Sequence, residues 1–116
     1  MARNDYHVIV YKILAYLYYC LKNGERPDRE HINEMMDAAG IGQDYSDYIF
    51  CNLIDNELIQ GATKIPMVGH CFPGIKTDSS FTITPKGIEY LQSNSMMTKA
   101  AGFLKAIGEI APWLNL

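Results

Sequence analysis

The chain has 116 residues, the length of one ordinary domain, and its 48% hydrophobic against 20% charged residues suffice for a packed core. Ten Lys and Arg against thirteen Asp and Glu leave a net charge of −3 and a pI near 5.5. That balance excludes the strongly basic footprint of a protein that coats nucleic acid non-specifically, and the composition excludes collagen, coiled-coil rods and disulfide scaffolds.

Tyr6 to Lys22 contains no Gly or Pro and stops at Asn23-Gly24, which predicts a first helix too long to be a strand. Apolar residues run round almost its whole circumference, the pattern of a helix covered on several sides. Only Lys12, Lys22 and the hydroxyls of Tyr11, Tyr16, Tyr18 and Tyr19 break it. Pro27-Asp28 opens a second helix with Asp28 as N-cap and Glu30 in the first turn, and Ile32, Met35, Met36 and Ala39 recur at helical spacing before Gly40 closes it. The turn Gly40-Ile41-Gly42 leads to a third helix from about Asp44 to Asn56, completing a helix-turn-helix pattern.

Leu58 to Gly61 reads as a short strand and Phe81-Thr82-Ile83 as a second. The stretch between them, Ala62 to Ser80, holds Pro66, Gly69, Pro73 and Gly74 and is expected to be mostly loop, with an irregular strand at Lys64–Val68. Met67, Val68, Cys71, Phe72 and Ile75 put apolar side chains into that loop, which is therefore expected to fold back over the domain. Thr84 and Pro85 cap and start the next helix, where Gly87 permits close approach to a neighbour and Ile88 and Leu91 face inward. Ser95 is expected to cap a last helix, Met96 to about Ile110. Along it Ala100, Phe103, Ile107, Ile110 and Leu114 step by three and four, a seam that predicts a homodimer through Phe103, Ile107, Ile110 and Leu114. The alternative is an intramolecular fit in which Gly102 and Gly108 let the last helix approach the first closely.

Three helices, a strand, a wing, a second strand and a helix follow the order of a winged helix-turn-helix. The junction Leu53-Ile54-Asp55-Asn56-Glu57-Leu58-Ile59 resembles the end of a winged-helix third helix entering its first wing strand. Phe81 to Leu91, with Thr84-Pro85-Lys86-Gly87, is similar to the second strand and following helix of such proteins. Together with Asn94-Ser95-Met96-Met97, this makes the chain resemble the YjcQ-like family of small bacterial and phage-associated winged-helix proteins. The resemblance implies one mainly α domain with a small β-hairpin and a C-terminal helical extension. Residues 1–57 would form the three-helix part, 58–84 the wing and 85–116 the C-terminal helices. It implies no chemistry.

A DNA-binding winged helix sends the exposed side of its third helix into the major groove. Here Tyr45, Ile49, Phe50 and Leu53 must face the core, leaving Asp44, Asp47, Tyr48, Cys51 and Asp55 outward. From Asp28 to Glu57 one Arg stands against eight acids, so phosphates would be repelled and a basic protein partner is the competing expectation, through Asp44, Asp47, Tyr48 and Asp55. Residues 58–116 carry five Lys and three acids. If DNA binds, Arg26, Arg29, Lys64, Lys76 and Lys86 are the expected phosphate contacts, with wing docking favoured over helix docking.

No nucleophile stands with a base in a recognisable motif. His7, His31 and His70 lie far apart, without H-E-x-x-H, G-x-S-x-G or phosphate-loop surroundings, and His31 is expected on the surface. Asp44 and Asp47 lack EF-hand spacing, and packing explains the tyrosine cluster more simply than a ligand pocket. Cys20, Cys51 and Cys71 form no C-x-x-C pair, and the adjacent His70 and Cys71 are poorly spaced for one metal. The expectation is a non-catalytic protein without metal or cofactor. The free thiols, the N-terminus without signal-peptide features and the Lys12-interrupted apolar run Val8 to Leu21 point to the cytoplasm and away from the membrane.

Overall fold

The computed structural model describes residues 1–115. The order is α1 (Tyr6–Lys22), α2 (Arg29–Ala38), α3 (Gln43–Asp55), β1 (Ile59–Ile65), β2 (Gly74–Ile83), α4 (Pro85–Ser93) and α5 (Ser95–Ala106), closed by a 3-10 turn at Pro112–Asn115. The fold is mainly helical, with one two-stranded antiparallel hairpin in the position of a winged-helix wing.

α1 is the central element. Every residue from Val8 to Leu17 is buried, because α3, α4, α5, β2 and the C-terminal turn each pack against it. Its almost wholly apolar circumference is thus covered within one chain. Four of the five helices stop with the same paired bonds. After α3, Leu58 N donates to Leu53 O at 3.0 Å and Glu57 N to Ile54 O at 3.0 Å; α1, α2 and α5 repeat the pattern. Glycine supplies the left-handed residue at Gly24, Gly40 and Gly108, whereas after α3 Glu57 takes it at φ 58°.

The hairpin is longer than the sequence suggests. Its strands run to Ile65 and from Gly74, so only residues 66–73 form the loop, in place of most of Ala62–Ser80. In the outer half of the hairpin only Gly74 is buried, and the weak alternation of Ile75, Lys76 and Thr77 is masked by the Gly and Pro residues around it. The ladder is also interrupted. Gln60 pairs with Thr82, but Ala62 pairs with Thr77, so Gly61 alone stands opposite residues 78–81.

At the far end of β2, Thr84 ties α4 to the α3–β1 junction: its N donates to Leu58 O at 3.1 Å and its Oγ1 to Glu57 O at 2.7 Å. The same Oγ1 accepts from Gly87 N at 2.9 Å, the cap expected from Thr-Pro-Lys-Gly. Gly87 is the close-approach glycine: a Cβ there would collide with Leu58 O and lie 2.7 Å from Ile83 Cγ1.

The C-terminal region corrects three expectations. Asn94, not Ser95, caps α5, its Oδ1 accepting from Met96 N at 2.9 Å and Met97 N at 3.4 Å. α5 ends at Ala106 and the chain turns at Gly108, so no continuous helical seam runs from Ala100 to Leu114. Ala100 and Leu104 are buried in the core that includes α1, while Phe103, Ile107 and Leu114 lie half-buried against it; only Ile110, 91% exposed, points to solvent. The intramolecular fit absorbs most of the stripe that suggested a dimer. Gly102 and Gly108 do not mediate that fit, since nothing lies within 4 Å of a Cβ at either.

Beyond Gly108, Glu109 pairs with the buried Lys12, whose Nζ lies 2.8 Å from Oε2 and 3.0 Å from Oε1. Trp113 sets its edge against both Tyr16 and His31, whose rings stack at 4.7 Å. His31 is therefore half-buried in an aromatic cluster and not a surface residue.

Candidate nucleic-acid interface

The third helix turns Ile49, Phe50 and Leu53 fully into the core, with Tyr45 half-buried, as its periodicity requires. Its opposite side is only partly open to solvent. Asp44, Tyr48 and Asp55 are exposed, but Asp47 is only 3% exposed and Cys51 only 8%. Two neighbours account for this.

The first is α2, whose Arg29 guanidinium lies 4.8 Å above the Phe50 ring and near Asp47; within α3 itself, Gln43 Nε2 donates to Asp47 Oδ1 at 2.8 Å. Burial lowers the Arg29 pKa, and the negative charge of Asp47 opposes that shift. Arg29 thus serves the α2–α3 packing, with its Nε buried and unpaired; it is not one of the open cations.

The second is the wing, which lies along α3. Lys64 Nζ is 2.6 Å from Asp55 Oδ1, and that bond raises the lysine pKa. His70 Nδ1 is 3.7 Å from Asp44 Oδ1, an ion pair when the imidazole is protonated. Between them the Phe72 ring lies 5.2 Å from that of Tyr48, tilted by 57°. The loop folds back as its apolar residues predict, but only in part: Phe72 and Ile75 are half-buried, while Met67, Val68 and Cys71 stay outside. Burial pushes the Cys51 thiol pKa up; Lys64 draws it down, and Asp55 and Asp47 raise it.

Of the five expected phosphate contacts, Arg29 is engaged with α2–α3 and Lys64 with Asp55. Arg26, Lys76 and Lys86 are exposed and have no carboxylate partner among the described residues. Lys76 sits on the outer half of β2, opposite Thr63, and Lys86 in the first turn of α4, on an open groove shared with Leu58, Tyr90 and Asn94. Sequence reasoning did not find the pairing of Lys64 and His70 with α3, because the partners lie 9 and 26 positions away. The apolar loop residues were the available signal.

Among the described residues, no three His, Cys, Asp or Glu side chains come together as a metal site, and no helix is long and apolar enough to cross a membrane.

A helix-turn-helix followed by a hairpin wing and C-terminal helices defines a winged-helix-like protein. The family model described as YjcQ protein matches residues 11–110, and the chain belongs to that family. No curated protein and no solved structure shows significant similarity to it.

Proposed function

We propose that this is a non-catalytic, cytoplasmic DNA-binding protein of bacterial or phage origin, associated with transcription, which meets the duplex through its wing and the start of α4. The observation that carries the reading is the distribution of open cations over a winged-helix-like fold. Lys76, Lys86 and Arg26 are exposed and unpaired, whereas α3 offers carboxylates beneath the wing. Contacts of this kind hold phosphates and position the protein, with little direct reading of base edges.

Titration of a mixed-sequence duplex from about 50 to 200 mM salt tests it. Three phosphate contacts give a slope of log K against log salt of about −2.7, and Lys76→Ala or Lys86→Ala each reduces its magnitude by about 0.9. Arg29→Lys leaves the slope unchanged. Absence of binding at the lowest salt would overturn the proposal. It would favour a second reading, docking of a basic protein, for which the eight acids and single Arg between residues 28 and 57 speak.

A further inference from the structure

The wing consists of two parts with different support. Its root, Ile59–Gln60 paired with Thr82–Ile83, is anchored by the buried Ile59 and Ile83. Its outer blade, Ala62–Ile65 paired with Gly74–Thr77, is joined to the root only through Gly61 on one strand and residues 78–81 on the other. Gly61 has φ 74°, a Cβ there would collide with the Phe81 backbone, and residues 78–80 are exposed. Such a bulge breaks the ladder and leaves a place for the strands to bend.

Beyond the hinge, the blade and its loop are held to the body by two ion pairs between exposed partners, one tilted aromatic pair and the half-buried Ala62 and Ile75, which pack at the edge of the core; none of the blade's larger side chains is fully buried. We propose that the outer blade is a hinged lid over α3, closed in this structure, which opens as a unit while the rest of the domain stays folded. Opening parts Phe72 from the already exposed Tyr48, uncovers the buried Cys51 and releases Asp44 and Asp55 from their partners. It also moves Lys76, which rides on the blade, relative to Lys86 on α4, so a ligand held by both lysines selects one arrangement of the lid. The lid opens whether or not DNA is the ligand, so its test is separate from the salt titration.

The chain carries its own probes. Cys51 lies on the covered face of α3, and Cys20 lies in the core on α1, 1% exposed. In a Cys71→Ser background, which removes the exposed thiol, alkylation by iodoacetamide reports lid opening at Cys51 and global unfolding at Cys20. Asp44→Asn and Phe72→Leu loosen the lid at positions that do not act electrostatically on the Cys51 thiol, unlike Lys64, Asp55 and Asp47. The expected result is Cys51 reacting at least about tenfold faster than Cys20, each substitution speeding it a further fivefold or so with Cys20 unchanged. If Cys51 reacts only in step with Cys20, or if neither substitution accelerates it, the lid does not exist.

Discussion

Gly87→Val is expected to lower stability by about 3 kcal/mol, at the upper end of overpacking costs. The first added carbon meets the Leu58 carbonyl, a backbone atom fixed by the bonds that Thr84 makes to the α3–β1 junction, and it also crowds Ile83. α4 cannot recede without breaking those bonds, so the side chain has no cheap escape. Gly102→Ala should have the opposite sign: its Cβ enters open space in the interior of α5, and helix propensity favours alanine by up to about 1 kcal/mol. Urea unfolding measures both as midpoint shifts at unchanged slope. Equal effects at the two glycines would show that α4 does not sit on the wing root as described.

Removing Glu109 should cost about 1–2 kcal/mol, between the worth of an exposed bridge and that of a fully buried ion pair. Lys12 has a side chain only 11% exposed on the most buried helix, and Glu109 holds it with both carboxylate oxygens. Glu109→Ala therefore strands a buried ammonium and removes the tether that precedes Trp113. Replacing both partners, as Lys12→Met with Glu109→Leu, should recover most of the loss, because the desolvation cost of both charges disappears together. A double-mutant cycle in thermal unfolding checks this; a Glu109→Ala cost below about 0.5 kcal/mol would place the pair among weak surface bridges instead.

The features legible in the sequence are those that a few consecutive residues determine. Asp28 and Thr84 cap the helices they precede, Gly40 closes α2, and the nearly continuous apolar circumference of α1 marks a helix covered on several sides. Asn94 was harder, since Asn94 and Ser95 are both good caps and only the geometry gives the amide oxygen two donors. The end of α5 was obscured by apolar residues that continue at helical spacing past Gly108, although they belong to a returning segment. At the candidate interface, Lys76, Lys86 and Arg26 are where their charge suggested, on the surface. The fates of Arg29 and Lys64 depend on tertiary neighbours: Phe50 and Asp47 for one, Asp55 for the other. Helical periodicity places Asp47 outward from the core side, but periodicity alone cannot tell solvent from a neighbouring helix.

The wing lies along the side of α3 that a groove-reading winged helix leaves free. Nuclear Overhauser contacts between the rings of Phe72 and Tyr48 test this placement most directly in solution. With ring centroids 5.2 Å apart, cross-peaks between the two rings are expected, together with a Tyr48-shifted Phe72 spectrum. Phe72 ring signals at random-coil positions, with no cross-peak to any residue of α3, would show that the wing does not lie on α3.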